Sequence, residues 1–293
     1  MESDGSREFR AHHPRLFALA YRMLGSAREA EDAVREARLR WNGTGRSTIR
    51  SAETWLTGTV VNLCRARLVT ARVRRAGYAG PWLPEPVPTA RGELGPLESA
   101  EERGLVSLAL LAALERLEPV ERAVFVLREG FGYAHREIAD LLALSEAAAV
   151  QTYRAAGARL PAGPDRAPLA RDAGRALLES LLKAARAGAD EELERLLAAE
   201  VVLTVDSGGR DRAALRPLVG AELVARYLAG LFPAERPELE IALEEVNGGP
   251  AAVARLAGNP MLIIDVAVRE ALVTSVRVVS DAGKLAYFRR LTC

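Results

Sequence analysis

Apolar residues recur at helical spacing through residues 9–68 of the chain. This periodicity predicts an all-helical domain of about four helices over residues 1–76. Gly25 and Ser26 supply a helix end and an N-cap, and Glu29 follows at the position of a capping-box partner. The first domain is therefore expected to consist of helices joined by short polar breaks.

Prolines crowd residues 77–99, which we interpret as a linker, and a second helical block follows over 100–160. Within this block, the segments 133–142 and 146–160 have the proportions of a helix-turn-helix. Ser145 stands where it can cap the second of these helices. An ordinary helical hairpin has the same spacing, so the pattern alone leaves both interpretations open.

After a second linker at 161–168, helical spacing gives way to short apolar runs that are rich in β-branched residues. Helices are expected at 170–188 and 190–199, then five strands, with one more helix inserted at 221–231. Helices followed by consecutive strands predict an α+β domain over residues 169–293 with an antiparallel sheet. The predicted strands are Val201–Val205, Leu239–Val246, Ala251–Leu256, Met261–Val268 and Leu272–Val279.

The charge is distributed unevenly along the chain. Its 293 residues carry 40 Lys and Arg against 39 Asp and Glu, a formal net charge of +1. This balance hides an asymmetry, because residues 6–80 hold 15 arginines against 6 acidic residues, whereas residues 81–165 hold 8 against 13. Only the first block has the charge expected of a domain that binds a polyanion.

Cysteine content and hydropathy bear on the compartment. The two cysteines, Cys64 and Cys293, are too few for a disulfide framework or a metal cluster, which indicates a reducing compartment. The chain opens with a polar segment in place of a secretion signal, and its longest apolar run, 105–114, is too short to cross a bilayer. We therefore expect a soluble, cytoplasmic protein that is not attached to a membrane.

Five arginines fall close together near the end of the first domain, and no acidic residue interrupts them. Their guanidinium groups can neutralise phosphates, and Tyr78 and Trp82 just beyond them can stack on bases. The segment therefore suggests nucleic-acid binding, although a solvated basic helix before a proline-rich linker would carry the same charges. The five are Arg65, Arg67, Arg72, Arg74 and Arg75.

Short motifs are spread over nearly the whole chain. They are LFALAYRMLGS at 16–26, EDAV at 31–34, GPWLPEP at 80–86, ERAVFVLRE at 121–129 and VNG at 246–248. Together they resemble bacterial sigma factors of the extracytoplasmic-function class that carry a C-terminal SnoaL-like extension. The resemblance implies a multidomain protein with two all-α sigma-like domains, the second with a helix-turn-helix, followed by a cone-shaped α+β domain.

The resemblance also implies how the domains work. The first would dock on the clamp of core RNA polymerase and open the minus-ten promoter element, and the second would read the minus-thirty-five element. The C-terminal domain would regulate both. The expected partners are therefore core RNA polymerase and promoter DNA, and the family favours a monomer.

Particular residues receive roles from this resemblance. Asp32 and Glu36 would contact the polymerase clamp, although helical pairing with neighbouring arginines explains the same carboxylates. In the second helix of the helix-turn-helix, the residues expected to contact DNA are Gln151, Arg154 and Arg159. The residues expected to join the linker to the C-terminal domain are Trp82, Pro84, Asp206 and Arg210.

The chain departs from the family pattern in several places, among them the DNA-reading helix and the terminal motif. Val150, Ala155 and Gly157 stand in the DNA-reading helix where members of the family carry arginines, so little counterion release is expected from this helix. Gly157 also weakens the helix by about 1 kcal/mol relative to Ala. The terminal motif of the family is reduced to Asp281-Ala282-Gly283-Lys284-Leu285, which predicts altered regulatory contacts.

A second function follows from the expected pocket of a SnoaL-like domain. Relatives use this fold for acid–base chemistry on small molecules, so the alternative is a repurposed protein whose pocket binds or transforms a polyketide-like metabolite, without a cofactor. Such chemistry needs a titratable group beside the substrate, and the candidates are Asp265 and Asp206. Asp265 interrupts an apolar run and is expected to point into the barrel mouth, unless it faces solvent from an edge strand. Tyr227, Asn247 and Arg277 are the candidate pocket residues.

Other site chemistries find no signal in the sequence. We recognise no phosphate-binding glycine loop and no His, Cys and Asp cluster at metal-ligand spacing, so neither a cofactor nor a metal is expected. A small-molecule ligand of the C-terminal domain is the remaining candidate partner. The five-arginine segment and the α+β domain therefore point to two different functions.

Overall fold

The computed structural model describes residues 4–45, 49–89, 94, 100–160, 171–232 and 238–292. Helices dominate the chain up to residue 160, as the apolar periodicity predicts. They occupy Asp4–Leu24 (α1), Ala27–Gly43 (α2), Ala52–Ala76 (α3), Ala100–Gly104 (α4), Leu108–Leu114 (α5), Pro119–Phe125 (α6, continued by a π-helical turn over Val126–Gly130), His135–Leu142 (α7) and Glu146–Arg159 (α8).

The C-terminal part combines helices with one sheet. The helices are Arg171–Ala187 (α9), Asp190–Leu196 (α10), Ala221–Leu231 (α11) and Ala282–Thr292 (α12), and the strands are Leu197–Asp206 (β1), Leu218–Val219 (β2), Leu239–Val246 (β3), Gly249–Leu256 (β4), Asn259–Arg269 (β5) and Leu272–Val279 (β6). The short strand β2 and the helix α12 are additions to the elements predicted from the sequence. Residues 197–199, predicted as helix, begin strand β1 instead.

The described residues form two compact units. The first contains residues 4–76, Leu94 and 111–160. The second contains the C-terminal α+β domain together with residues 77–89 and 100–110. Residues 77–89 of the predicted linker therefore lie with the C-terminal domain, whereas Leu94 lies with the helical unit, and the predicted domain boundaries themselves remain a prediction.

Helix ends in the first unit follow the capping residues in the sequence. The Ser26 hydroxyl accepts a hydrogen bond from the Glu29 backbone N–H at 3.1 Å, and the Ser145 hydroxyl accepts one from Ala148 at 3.1 Å. Each bond satisfies one of the free N–H groups at the start of a helix. Between α7 and α8, Ala143 takes the left-handed conformation with φ 55°, which turns the chain into the helix-turn-helix.

Tyr133, just before α7, joins the first and second helical blocks within this unit. Its hydroxyl accepts a hydrogen bond from Arg15 of α1 at 3.2 Å and lies 3.4 Å from the Thr57 hydroxyl of α3. Ile138 and Leu142 of α7 are buried, as the helical spacing predicts. The part of the second block that lies in this unit is therefore joined to α1 and α3 by polar contacts.

The sheet of the second unit is mixed, with the order β2-β1-β6-β5-β4-β3. Strands β3 to β6 follow one another as antiparallel neighbours, but β6 lies parallel to β1. The expectation of an antiparallel sheet was therefore wrong for this one pair. A parallel pair needs a long crossover, and here the chain between β1 and β6 includes α11 and the four strands β2 to β5 before it returns beside β1.

One face of the sheet packs against the helices α9, α10 and α11 to form the core of the C-terminal domain. Ile264 of β5 and Val276 and Val278 of β6 belong to this core cluster. Successive side chains of a strand point to opposite faces, so Asp265 and Arg277 lie on the other face. The sheet thus has an apolar face under the helices and a face that carries charged pairs.

We expect Leu228→Ala to destabilise the C-terminal domain by about 2–5 kcal/mol, because Leu228 is 1% exposed in the core under α11. Leu223→Ala, on the same helix but 47% exposed, is the matched control and should change the stability by less than about 0.5 kcal/mol. Urea unfolding followed by circular dichroism measures both. Equal shifts for the two variants would contradict the assignment of the core face.

Candidate nucleic-acid interface and linker clasp

A polar groove of about 530 Å³ runs between α2 and α3. It brings the predicted polymerase contacts, Asp32 and Glu36, beside two of the predicted DNA contacts, Arg67 and Arg74. The lining residues are Arg28, Glu29, Asp32, Glu36 and Arg40 from α2, with Leu63, Ala66, Arg67, Thr70 and Arg74 from α3. The groove therefore contains alternating positive and negative side chains instead of a uniformly basic wall.

Ion pairs hold most of these side chains. Glu36 accepts hydrogen bonds from Arg40 at 2.7 Å and from Arg67 at 2.8 Å. Asp32 accepts one from Arg35 at 2.8 Å, and Arg74 pairs with Glu29. The α2 carboxylates thus serve as partners of arginines within the same unit, in addition to any contact that they make with another protein.

The C-terminal end of α3 pairs with acidic residues that precede and begin α6. Arg72 pairs with Glu118 on the surface, and Arg75 pairs with Glu115 in a half-buried position. Arg75 also donates a hydrogen bond to the Leu24 carbonyl oxygen at 3.1 Å. Among the described residues, Arg65 is the member of the five-arginine set for which no ion pair is found.

Glu115 has a second partner, which explains its position. The guanidinium group of Arg122 is only 1% exposed and donates to Glu115 at 2.6 Å. Burial lowers the pKa of Arg122 to about 9, and burial also raises the pKa of the neighbouring Cys64 thiol to about 12. A buried guanidinium needs an anionic partner, so the Arg75–Glu115–Arg122 group is a structural contact between α3 and α6.

The surface pair behaves differently, because solvent surrounds it. The hydrogen bond from Arg72 lowers the pKa of Glu118, so this pair persists to a lower pH than an isolated glutamate would allow. Solvent screening nevertheless makes exposed pairs weak. Arg72 is therefore available to another anion in a way that Arg75 is not.

The helix-turn-helix presents few positive charges on α8. Gln151 and Arg154 are exposed, while Arg159 donates to Glu121 at 2.8 Å. Tyr153, on the same helix, donates to Glu129 at 2.7 Å and stacks on Phe125. Of the three predicted DNA contacts on this helix, one is thus already neutralised by a neighbouring carboxylate.

In the second unit, the linker is bound by Asp206, whose side chain is fully buried at the end of β1. Its carboxylate accepts hydrogen bonds from the Tyr78 hydroxyl at 2.5 Å and from the Leu83 backbone N–H at 2.7 Å. Burial, and next the hydrogen bond to Asp206, raise the pKa of Tyr78. We call this group of Tyr78, Trp82, Leu83, Asp206 and Lys284 the linker clasp.

Lys284, near the start of α12, completes the linker clasp. Its ammonium group pairs with Asp206, donates to the Leu83 carbonyl oxygen, and lies 4.0 Å from the centre of the Trp82 ring. The three N–H donors of an ammonium group point in different directions and can reach separate partners. The donors of a guanidinium group all lie in one plane. The sequence contained a signal for this role, because Lys284 is one of two lysines in a chain with 38 arginines.

Asn247, which follows β3, binds the next part of the linker. Its Oδ1 accepts from the Val87 backbone N–H at 2.9 Å, and its Nδ2 donates to the Val106 carbonyl oxygen at 2.7 Å. Gly248 N–H donates to the Thr89 hydroxyl at 2.9 Å. The VNG motif is therefore a backbone-binding turn at the edge of the sheet, and the Asn247 amide, predicted as a pocket group, bonds to the backbone at both its oxygen and its nitrogen.

The other residues proposed for acid–base chemistry do not converge. Asp265 accepts from Arg277 Nε at 2.6 Å on the sheet face away from the helices, so it does not point into the domain core. The Tyr227 hydroxyl donates to Asp211 at 2.5 Å, and burial, then this hydrogen bond, raise its pKa. The prediction of an inward Asp265 was wrong because strand parity, not the apolar run around it, decides the face.

Pro84 and Arg210, which were predicted to join the linker to the C-terminal domain, both lie in the second unit. Pro84 is buried beside Leu83 in the linker. Arg210 donates to the carbonyl oxygens of Ser207 at 3.0 Å and Ser280 at 2.8 Å, so it ties the loop after β1 to the start of α12. Among the described residues, no helix is long and apolar enough to cross a membrane, and no group of three His, Cys, Asp or Glu could hold a metal ion.

Comparison with known proteins agrees with this architecture. The models for sigma-70 region 2 and sigma-70 region 4 match residues 9–74 and 107–159. The chain is 36% identical over 248 residues to the ECF RNA polymerase sigma factor SigJ of Mycobacterium tuberculosis, covering 82% of this chain and 78% of that protein. It is 31% identical over 285 residues to SigG of the same organism, covering 85% and 72%.

A solved structure supports the same assignment over nearly the full length. The crystal structure of Mycobacterium tuberculosis SigJ superposes with a TM-score of 0.75 at 31% identity, covering 96% of this chain and 98% of that one. The two helical regions therefore define a protein of the sigma-70 class, whose members bind core RNA polymerase and promoter DNA. The chain belongs to the extracytoplasmic-function sigma factors, which confirms the family and the fold class expected from the motifs.

We expect Glu115→Gln to destabilise the helical unit by about 3 kcal/mol, because it leaves the buried Arg122 guanidinium without its anionic partner. Asp32→Asn removes an exposed pair with Arg35 and should cost about 0.5 kcal/mol. Chemical unfolding followed by helical circular dichroism measures the difference. A similar small effect for both variants would show that Glu115 is not a structural partner.

We expect Lys284→Arg to open the linker clasp although it keeps the positive charge. A planar guanidinium group cannot contact the Asp206 carboxylate, the Leu83 carbonyl oxygen and the Trp82 ring at the same time. Hydrogen exchange of the linker amides, including Leu83 and Val87, should become at least about tenfold faster, which corresponds to the loss of about 1.4 kcal/mol. Lys183→Arg, at the other lysine and exposed on α9, is the control. Unchanged exchange in Lys284→Arg would rule out the geometric requirement.

Proposed function

We propose that this protein initiates transcription by binding core RNA polymerase through α2 and the minus-ten region of promoter DNA through the arginines of α3. Its C-terminal domain regulates this activity by holding the linker that follows α3. The proposal rests above all on one observation: the arginines of α3 fall into an exchangeable set and a structural one.

The exchangeable set consists of arginines whose present partners are weak or absent. Arg72 pairs with Glu118 through side chains that are both exposed, and no ion pair is found for Arg65 among the described residues. Arg74 has an exposed guanidinium group, but its partner Glu29 is only 18% exposed. An exposed pair such as Arg72–Glu118 contributes little, so a phosphate can replace that glutamate at small cost, whereas release of Arg74 costs more. DNA then gains the counterion release that the glutamate pairs do not provide.

Arg67 is intermediate, and Arg75 is structural. Arg67 shares Glu36 with Arg40, so Glu36 keeps a partner when Arg67 turns to a phosphate. Arg75 is half-buried against Glu115 and the Leu24 carbonyl oxygen, and its release would disturb the partner of the buried Arg122. The DNA-binding set is therefore Arg65, Arg67, Arg72 and Arg74.

The helix-turn-helix contributes less to promoter affinity than α3. Its second helix offers Arg154 and Gln151 to a major groove, while Arg159 is paired with Glu121. A single arginine on α8 that binds a phosphate releases about one counterion, whereas the arginines of α3 together release several. Most of the electrostatic affinity thus comes from the minus-ten region.

The C-terminal domain acts as a holder of the linker in this proposal, not as an enzyme. Asp206, Lys284, Asn247 and the Gly248 backbone form hydrogen bonds with linker residues between Tyr78 and Thr89. A held linker restricts the chain that connects the minus-ten and minus-thirty-five binding regions. Release of the clasp is the step through which the domain would control promoter binding.

We expect that the native chain with core polymerase binds forked promoter DNA with an affinity that falls steeply with salt. Replacing Arg65, Arg67, Arg72 or Arg74 by Ala should each reduce the slope of log affinity against log salt by about 0.7 to 0.9. Arg175→Ala, in an exposed pair on α9, is the control and should leave the slope unchanged. Fluorescence anisotropy, with DNA selected from a random library by the native holoenzyme, measures both.

The Arg75→Ala variant separates the two sets of arginines. It should lower the stability of the helical unit and leave the salt slope within error of the native value in the folded fraction. Salt-independent binding by the native chain, or an unchanged slope when all four arginines of the DNA-binding set are replaced, would contradict the proposal.

A further inference from the structure

An apolar cavity of about 270 Å³ lies in the C-terminal unit, between the end of α11, one end of the sheet and α12. Its walls include Leu231 of α11, Leu239, Leu256 and Leu262 of the sheet, and Leu285 of α12. Leu231, Leu239 and Leu262 also pack against the domain core, so the inner wall is supported by rigid structure. The cavity is therefore backed by the domain core and open to solvent on its outer side, where Met261 is exposed.

Among the described residues, the lining is apolar apart from Ser280 and two arginines, and it contains no acidic residue. Arg210 is held by the carbonyl oxygens of Ser207 and Ser280, and its guanidinium group lies 3.9 Å from the Asp281 carboxylate. Arg289 is different, because no ion pair is found for its guanidinium group among the described residues, and its buried Nε atom has no hydrogen-bond partner there. A cation without a counter-ion beside an apolar cavity favours an anionic group in that cavity.

We propose that this cavity binds a small carboxylate with an apolar body of about eight to ten carbon atoms. An empty apolar cavity of about 150 Å³ suffices for benzene, so this cavity accommodates a body somewhat larger than one ring or a medium acyl chain. The carboxylate would lie at Arg289, and the leucines would cover the apolar part. Apolar walls with a few placed polar groups are the usual composition of small-molecule sites.

The cavity shares α12 with the linker clasp. Leu285 and Arg289 line the cavity one helical turn apart, while Lys284 on the same helix pairs with Asp206. At the start of the helix, the backbone N–H groups of Ser280 and Asp281 donate to the Asp206 carbonyl oxygen at 2.8 and 3.0 Å. A ligand in the cavity therefore contacts the same helix that holds the linker through Asp206.

The direction of this coupling follows from the structure. The cavity is open to a ligand while the linker clasp is closed, so a molecule that fits the cavity stabilises the closed clasp by mass action. Coupling between two sites is reciprocal. Opening the clasp therefore lowers the affinity for the ligand by the same free energy by which the bound ligand stabilises the closed clasp. The consequence for transcription rests on the proposed function, whereas ligand binding and clasp closure do not.

Isothermal titration calorimetry tests the site by measuring how tightly the full-length chain binds decanoate, decanol and decylamine. We expect decanoate to bind at least about tenfold more tightly than decanol, and decylamine to bind more weakly than either, because Arg289 favours a negative head group. No saturable decanoate binding up to about 1 mM, or equal affinities for the acid and the amine, would overturn the proposal.

Variants distinguish the site from non-specific apolar binding. Arg289→Ala should remove the preference for decanoate over decanol, and Arg289→Lys should retain most of it. Arg290→Ala is the matched control, since Arg290 lies against Tyr287 and does not line the cavity. Ala282→Phe should fill the cavity and lower the binding affinity for both decanoate and decanol. Unchanged affinity in that variant would show that the ligand binds elsewhere.

Hydrogen exchange of the linker tests the coupling separately. Saturating decanoate should slow exchange of the Leu83 and Val87 amides. Lys284→Arg should weaken decanoate binding by at most the factor by which decanoate slows exchange, and a fully open clasp would reach that factor. Binding without any change in exchange would overturn the coupling while leaving the site in place. Failure of the ligand-free protein to bind promoter DNA with core polymerase would instead overturn the proposed function, so the two failures are distinguishable.

Discussion

The buried ion pair between Asp206 and Lys284 is the contact on which the organisation of the C-terminal unit depends. A carboxylate with no exposed surface is tolerated only when its charge is paired and its oxygens accept hydrogen bonds. Here the partners come from Tyr78 and Leu83 in the linker and from Lys284, and both segments are far from Asp206 in the sequence. Because the loss of any one leaves the others incompletely satisfied, the linker, the end of β1 and α12 are held as one cooperative group.

The helical unit uses charge in a second way. Glu115 is shared by Arg75 and the buried Arg122, whereas Glu118 and Glu29 hold arginines at the surface. The same pair of residue types is structural in the first case and exchangeable in the second, because the solvent around the pair sets its strength. A basic segment that looks uniform in sequence is thus divided by burial into residues that hold α3 in place and residues that can meet DNA.

The C-terminal domain illustrates how a fold suited to enclosing a ligand can also serve as a holder of peptide. Asp206 and Asn247 satisfy backbone groups of the linker, and Asp265 and Arg277 satisfy each other on the opposite sheet face from the core. The residues predicted for acid–base chemistry lie in separate hydrogen-bonded pairs, with Asp206 at Lys284, Tyr227 at Asp211 and Asp265 at Arg277. The apolar cavity beside α12 remains as space that the linker does not use.

The sequence by itself determined the features that depend on neighbouring residues. Helical spacing, the caps at Ser26 and Ser145, the strands and the family motifs all follow from local order, and the structure and comparisons agree with them. Tertiary structure decided the rest: the parallel pairing of β6 with β1, the sheet face of Asp265, and the partners of the α3 arginines. These features depend on which distant segments come together, since strand direction, strand parity relative to a core and the burial of an ion pair have no local signal.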